Sequence, residues 1–574
     1  MALAETLLRK IHKLGLIPKV IKFLPICSFL LAISSILYLL VLPFDGNFRN
    51  TYISENALMP AQVTSYFRES EWNIVRGYRD AIKKIVNEET TRNSVVESWL
   101  NDLGITTAYH DDTLYGIMHA PRGENTEAMA LVVPWNTTEG VANTGGLALE
   151  LALARYFSKM SIWSKNILFV FPPDSRHSLR NWVDAYHTNL DLTGGSIDAA
   201  VILEYDDNLG DYFEFIDLFY HGLNGQLPNL DLLNTANVIN YHEGIKVSIE
   251  GIDNSNISYK TRLLTLFKGI ISACLTGLTK SNTNGCEEFS GWQIQAITLR
   301  ARGQDGYKDI TQLGRVIDGT FRSVNNLLEK FHQSFFFYLL MSSKNFISIG
   351  TYLPSAIILA VSFALSSIHG IIQIDPISNL SFILQIFTLV EVVCLILALV
   401  IPKLILQSDE VSPPLSLLLS SLSFVPTISK VFPKTTSKQI TSSLISLSLL
   451  VISLAITALL IVHFSLALTM GVLLLPLTFI PTLLNHSGFN SYIAGVICVV
   501  VSNPFFIILL VGNLINEDLF SGVVLGWVDL QCWTWLVVSL VWFPCWIVIT
   551  GCFMVSSQGN PNKGSNKQTT DKVN

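Results

Sequence analysis

Three kinds of hydrophobic pattern follow one another along the chain. From Phe23 to Pro43 the sequence FLPICSFLLAISSILYLLVLP is continuously apolar, about the ~20 residues that a bilayer crossing needs. Before it stand Arg9, Lys10, Lys13, Lys19 and Lys22 against a single acid, Glu5. A cleavable signal peptide shares a basic start and an apolar run. The run is long for that, however, and no small-residue cleavage site precedes Phe44-Asp45-Gly46, so the expectation is an uncleaved anchor with its basic end in the cytosol.

From Phe44 to Lys344 short apolar stretches alternate with polar ones and with Gly/Asn/Asp turns. The pattern predicts strands at Met129–Pro134, Asn166–Phe171, Ala199–Tyr205, Tyr212–Phe219 and Gln293–Arg300. Helices are predicted at Gly146–Phe157, Leu179–Thr188, Tyr259–Leu278 and Asp309–Leu328. Strands alternating with helices imply an α/β sandwich on a largely parallel sheet. Gly222–Asn234, rich in Gly, Pro and Asn, reads as an ordered loop in which Gly222 and Gly225 take positive φ and Leu230, Leu232 and Leu233 pack inward. The mixture of polar and aromatic residues in LLEKFHQSFFFYLL (327–340) reads as a helix lying along a membrane interface.

After Lys344 the pattern changes again, and residues 440–516 hold no Asp, Glu, Lys or Arg. Seven further spans are expected, at roughly 346–369, 377–401, 411–428, 440–463, 465–484, 490–515 and 531–555. Pro413, Pro414 and Pro426 weaken the third, but counting it leaves the loop of Lys430, Lys434 and Lys438 in the cytosol and that of Glu517, Asp518 and Asp529 outside it. The expected organisation is therefore a cytosolic basic segment (1–22), an anchor (23–43), an extracytoplasmic α/β domain (44–344), an all-α transmembrane bundle (345–555) and a cytosolic tail (556–574), with about eight spans in all.

Composition agrees. Half of the 574 residues are hydrophobic and 14% charged, against ~25% in soluble domains. A net charge of −7 gives no electrostatic reason for nucleic-acid binding. Eight cysteines without a CxxC pair fit neither a zinc ribbon nor a disulfide scaffold. Sequons at Asn136 and Asn256 are candidate glycosylation sites in the extracytoplasmic domain.

The order of elements from Ala128 to His187 resembles the zinc aminopeptidase fold, in which carboxylates and imidazoles hold two zinc ions and a Glu activates the bridging water. The ligand positions are nearly all replaced. The His-x-Asp positions read Pro134-Trp135-Asn136, the bridging Asp falls on Ala142, the Glu pair on Pro172-Pro173 or at best on Asp174-Ser175 with a one-residue shift, and the late His on Cys286. Glu204 alone keeps a carboxylate, and Asp174 reads as the cap of the following helix. Both remain as a residual acidic site. Cys286, beside Glu287 and Glu288, reads as a loop thiol or a disulfide partner of Cys274 rather than a nucleophile, because carboxylates raise a thiol's pKa. No metal, cofactor or own peptidase activity is expected: the domain reads as a pseudo-peptidase.

TYISENAL (51–58), LYGIMHAPRGENTEA (114–128), HGLNGQLPNLDLLN (221–234) and LLEKFHQSFFFYLL (327–340) together resemble the GPI-anchor attachment protein family, the aminopeptidase-like, multi-span subunits of the GPI transamidase. The resemblance spans the anchor, the α/β domain and the carboxyl half. It implies a multi-pass protein of the endoplasmic reticulum membrane with its large domain in the lumen, in a complex that cleaves a proprotein's carboxyl-terminal signal and joins the new end to GPI. In that family the nucleophile belongs to a separate caspase-like cysteine protease subunit, and the present subunit is credited with scaffolding and with presenting the glycolipid. The resemblance also places GPI contacts at Tyr52, Ser54, His332, Gln333 and Ser334. The competing readings are a membrane-tethered metallopeptidase and a subunit that positions the GPI ethanolamine through Asp174 or Glu204. A transporter is disfavoured by the uncharged run at 440–516.

Overall fold

The computed structural model describes residues 16–60, 64–372, 380–407, 412–424, 438–485 and 488–558. Arg9, Lys10, Lys13, Lys430, Lys434 and residues 559–574, which carry most of the expected cytosolic charge, lie outside the described residues. The chain divides into two units, Leu40–Tyr352 and the remainder.

The remainder is helical. It contains α1 (Leu16–Val41) and, after Tyr352, further apolar helices. Six described helices are long and apolar enough to cross a membrane: Ile21–Val41, Ile349–Ile372, Leu380–Gln407, Gln439–Val462, Phe464–Leu484 and Thr534–Val555. The pair Phe489–Val501 and Pro504–Ile515, bent by 61° where Asn503 and Pro504 interrupt the backbone ladder, is long and apolar enough together for a broken span or a re-entrant loop and makes a seventh crossing only if it is one span. Of the eight spans expected, the one at 411–428 is represented by a helix of 13 residues, Ser412–Phe424, too short to cross alone, and residues 425–437 lie outside the described residues. Serines join the helices where apolar contact has no directional preference: the hydroxyls of Ser28 and Ser362 lie 3.1 Å apart, Ser35 donates to the Ser355 carbonyl at 2.8 Å, and Ser453 to that of Ala360 at 2.9 Å.

The other unit is an α/β sandwich. Its main sheet has nine strands: β2 (Thr106–His110), β3 (Thr113–Met118), β4 (Glu127–Val132), β5 (Asn166–Phe171), β6 (Ser196–Glu204), β8 (Phe215–Phe219), β9 (Lys246–Ile249), β10 (Ile252–Asp253) and β11 (Gln295–Arg302), in the order β10-β9-β8-β11-β6-β4-β5-β3-β2. The expectation of a largely parallel sheet is corrected. The centre, β11-β6-β4-β5, is parallel, but β8 joins β11 and β3 joins β5 antiparallel, so the sheet is mixed. The predicted strand 212–219 is two strands, β7 (Tyr212–Phe213), paired with β12 (Lys308–Asp309), and β8 in the main sheet.

Alternation along the central strands sends side chains to two cores. Met129, Leu131, Phe169, Val201 and Leu299 face one, which is covered by α2 (Glu69–Ile85), α4 (Thr144–Ser158), α6 (Leu230–His242) and α8 (Ile310–Asn325). Ala130, Val132, Leu168, Val170 and Ile202 face the other, under Leu179, Trp182 and Val183 of α5 (His177–Thr188). Between α2 and β2 lies α3 (Glu89–Asp102), and between β10 and β11 lies α7 (Tyr259–Leu275).

Two expectations for local structure change. Gly222–Asn234 is a loop only as far as Asn229, where α6 begins: Asn229 Oδ1 accepts the Asp231 N–H at 2.9 Å and so caps the helix. Leu230, Leu232 and Leu233 do pack inward. Gly222 has φ −97°, so its need for glycine is not a left-handed backbone, whereas Gly225 sits at φ +76°. Gly225→Val should therefore lower the stability of this unit by about 1–2 kcal/mol, read as a fall in the yield of folded protein. The stretch 327–340 is not an interfacial helix. α8 stops at Asn325, residues 326–337 are irregular, and Tyr338–Ser342 is a strand, β13, paired with β14 (Asn345–Ser348). Consecutive aromatics at 335–338 lack the spacing that gives a helix one apolar face.

Candidate functional site

The loops after β4, β5 and β6 converge beyond the carboxyl ends of the parallel strands, where open α/β sheets place their ligands. Here the strand ends are bound to one another. Asn143 Nδ2 donates to the carbonyls of Pro134 and Leu203 at 3.0 Å each, its Oδ1 accepts the Tyr205 N–H at 2.8 Å, and the Trp135 N–H donates to the Pro172 carbonyl at 2.9 Å. Glu204, buried at the end of β6, pairs with Arg300 of the adjacent β11 and accepts the Thr138 N–H at 3.1 Å. Arg300 also donates to Asn284 Oδ1 at 3.2 Å and lies 4.6 Å over the Phe219 ring. The Glu204 carboxylate thus holds a guanidinium. Asp174 accepts the N–H groups of Arg176 at 2.8 Å and Ser178 at 3.3 Å, so it serves the start of α5, although Arg176 occupies the cap position itself.

Neither Cys286 nor Cys274 forms a disulfide, which removes the disulfide reading. Cys286 Sγ lies 3.6 Å from the His221 carbonyl, and burial together with Glu287 raises its pKa well above the ordinary thiol value. Burial also pushes Glu287 up to about 7 and raises Glu288 further, with the charge of Glu287 adding to the effect. Among the described residues no three His, Cys, Asp or Glu side chains stand together as a metal site.

The residues expected to contact GPI fall elsewhere in the unit, and there they come together. Strand β1 (Arg49–Asn50) pairs with β14, and the Thr51 N–H donates to the Lys344 carbonyl at 2.9 Å. The chain then crosses the amino end of α6. Asp231, fully buried, accepts the Ser54 N–H at 3.0 and 3.1 Å and the Glu55 N–H at 2.8 Å, while Asn234 donates its amide to the Tyr52 carbonyl at 2.7 Å. From the other side, the Gln333 carbonyl accepts the Asn229 amide at 3.1 Å and the Phe335 carbonyl accepts the Leu230 N–H at 3.0 Å. His332 Nδ1 stands 3.8 Å from Glu55 Oε2. One helix start therefore fixes two segments from opposite ends of the unit.

What this leaves outward is polar and aromatic together. Tyr52, His332 and Gln333 are exposed, Ser54 and Ser334 half-buried, and Phe337 is exposed beside them in sequence. Ser334 holds φ +74°, a conformation that costs a serine on the order of 1 kcal/mol, and its hydroxyl meets no hydrogen-bond partner among the described residues. Exposed Arg49, 5.8 Å over the Phe335 ring, brings a cation to the same edge. Hydroxyl, amide, imidazole and guanidinium groups suit sugar hydroxyls and phosphate oxygens, and the phenylalanines suit hydrocarbon.

Sequence reasoning missed Asn229, Asp231, Asn234 and Arg49. The first three lie in the NLDLLN stretch that it read as loop packing. The signal that finds Asp231 is its place two residues after an Asn cap, where a carboxylate gains from the helix dipole.

A family model described as Gaa1-like, GPI transamidase component, matches residues 110–550. The chain is 42% identical to the GPI transamidase component GAA1 of Saccharomyces cerevisiae over 96% of its own length and 97% of that protein's. To the GPI transamidase component gaa1 of Schizosaccharomyces pombe it is 31% identical, over 78% and 80% of the two chains. Among solved structures, a zinc aminopeptidase from Bacillus subtilis is similar at 10% identity and TM-score 0.25, over 37% of this chain and 49% of that one. A glutaminyl cyclase from Porphyromonas gingivalis is similar at 12% identity and TM-score 0.26, over 45% and 97%. With a family match covering most of its length and a near full-length relative, the chain belongs to the Gaa1-like family of GPI transamidase components.

Proposed function

We propose that this chain is a non-catalytic subunit of the GPI transamidase of the endoplasmic reticulum membrane, which scaffolds the complex and presents the GPI lipid for transfer to proprotein carboxyl ends. The observation that carries the reading is the convergence of Tyr52, Ser54, His332, Gln333 and Ser334 on the start of α6. Both segments lie close in sequence to apolar helices, Tyr52 soon after Val41 and Ser334 shortly before Ile349. The large unit is assigned to the lumen on the charge bias of the loops, where Asn136 and Asn256, both exposed, are available for glycosylation. The cleaving nucleophile is assigned to a caspase-like partner subunit.

The metallopeptidase alternative finds no support in the donor set, since Glu204 is committed to Arg300, the positions at Pro134, Asn136, Ala142 and Pro172-Pro173 carry no carboxylate, imidazole or thiolate, and the buried Cys286 is held as a protonated thiol. Positioning of the ethanolamine by Asp174 or Glu204 meets the same objection: each carboxylate is already occupied. The test is the combined variant Tyr52→Phe, Ser54→Ala, Gln333→Ala, Ser334→Ala, purified with its partners. Each lost hydrogen bond weakens binding by about 1 kcal/mol, so the four together should lower co-purifying GPI by an order of magnitude or more while assembly is unchanged. Unaltered GPI content in an assembled complex would remove this site.

A further inference from the structure

α7 (Tyr259–Leu275) turns one face inward, through Thr265, Leu266, Gly269, Ile270, Ala273 and Cys274, and the opposite face outward. The outward face is unlike that of a water-facing helix. Leu264 and Ile271 are 46% and 54% exposed, and Phe267 lies half-buried between them, one stripe at i, i+3 and i+7. Lys260 and Lys268 are exposed on the same stripe. The whole helix carries Lys260, Arg262 and Lys268 and no acid, in a chain whose net charge is −7. Apolar residues flanked by basic ones are the composition of a helix that lies in the head-group layer of a bilayer.

Two fixed points set the height of this helix. At its start the Tyr259 hydroxyl donates to the Leu40 carbonyl at 2.9 Å and Arg262 Nε to the Pro43 carbonyl at 3.0 Å, while the rings of Tyr259 and Phe44 lie 4.7 Å apart. Leu40 stands at the end of the first apolar span, Ile21–Val41. Three turns further on, a Cβ at Gly269 would stand 3.8 Å from the Tyr220 hydroxyl. The Tyr220 ring stacks on that of Tyr338 at 6.2 Å, and Tyr338 pairs across the hairpin with Ser348, the residue before the span Ile349–Ile372. Both points, about 15 Å apart along the helix, therefore lie beside residues that border a span. The connection before the helix comes from the other end of the hairpin, where Asn254 accepts the Ser343 N–H at 3.1 Å. Asn256 sits in that connection, so a glycan on it leaves the stripe free.

We propose that α7 is an interfacial helix, with Leu264, Phe267 and Ile271 entering the head-group layer of the membrane that holds the chain's own spans, and Lys260 and Lys268 meeting anionic lipid phosphates. This contact holds the α/β unit against the bilayer. The stripe shares no residue with the Tyr52–Ser334 surface.

Fluorescence quenching tests it, in the full-length chain reconstituted into bilayers of phosphatidylcholine and phosphatidylserine. A fluorescent amino acid is placed in turn at Leu264, Phe267 and Ile271. The water-facing control is Tyr241, which is 68% exposed and whose ring lies 4.8 Å from Lys344 Nζ at the far end of the hairpin. Phosphatidylcholine with a nitroxide on its head group should quench the three stripe positions and leave position 241 bright, and a water-soluble quencher should do the reverse. Leu264→Glu with Ile271→Glu changes two exposed side chains and should abolish lipid quenching at position 267. If that variant does not accumulate, Lys260→Gln with Lys268→Gln decides, because its quenching should no longer rise with phosphatidylserine content. Quenching of the stripe no stronger than at position 241 overturns the proposal, as does lipid quenching that neither pair of substitutions alters. Loss of lipid quenching on assembly of the complex, together with protection from the soluble quencher, overturns it in favour of a partner subunit on this face.

Discussion

Glu204→Ala is expected to destabilise the α/β unit by about 3–5 kcal/mol, because it leaves the Arg300 guanidinium buried without its carboxylate. Loss on that scale approaches the whole stability of a domain, so the variant should accumulate poorly. Amides of β6 and β11 should exchange with solvent faster than in the wild type, since the pair lies directly across those strands in register. The double variant Glu204→Gln, Arg300→Met removes both charges and should recover most of the loss. A catalytic or metal-binding role for Glu204 predicts the reverse: normal folding of Glu204→Ala with activity abolished, and no recovery in the double variant. The experiment therefore separates a carboxylate that holds the fold from one that does chemistry.

Asp231→Asn should act on the proposed lipid surface without touching it. The carboxylate accepts the N–H groups of both Ser54 and Glu55, and an amide can offer them only one acceptor oxygen in place of two. With the amide oxygen in the Oδ2 position both N–H groups keep an acceptor, but the amide nitrogen then faces the Ser54 N–H, donor against donor, at a cost of about 1–3 kcal/mol. Residues 52–55 should detach from α6, seen as faster amide exchange confined to that segment. Co-purifying GPI should fall about tenfold, since each 1.4 kcal/mol is tenfold in affinity. Detached residues 52–55 with undiminished GPI would mean that these residues do not hold the lipid.

How far the sequence foretells this structure depends on whether each feature is local. NILFVF is predicted as a strand at Asn166–Phe171 and is one, because five consecutive apolar residues between turn signals admit little else. The helix predicted at Asp309–Leu328 is found at Ile310–Asn325, and its start is local: Asp309 and Gln312 form a capping box within four residues. α6 is hidden because its first turn is written in residues that also make turns, Asn229 and Asp231, and only the partners of those side chains decide between the two. β13 is hidden for a different reason: YLLMS becomes a strand by pairing with β14, and β14 in turn with β1 near residue 49. The antiparallel edges of the main sheet are likewise set by non-local pairing, which no run of residues encodes by itself.

The site divides in the same way. That Pro134, Asn136, Ala142 and Cys286 depart from the aminopeptidase ligand pattern is legible position by position. That Glu204 is neutralised by Arg300 is not, because 96 residues separate the partners. Two apolar strands that close on opposite charges, AVILE and ITLR, are the hint the sequence carries. Tyr52, Ser54 and the His332–Ser334 stretch are identified through family resemblance, and physics alone would not have chosen them. Their meeting at Asp231 and Asn229 is a property of the fold.

The most direct test of lipid presentation is photo-crosslinking of a GPI analogue, carrying its reactive group near the glycan, to the assembled complex in membranes, with the adducts mapped by mass spectrometry. Lipid presentation at this surface predicts labelled peptides from this chain that span residues 49–56 and 330–337, and loss of both adducts in the Tyr52, Ser54, Gln333, Ser334 variant. Adducts confined to other subunits, or to parts of this chain away from those two segments, would contradict it.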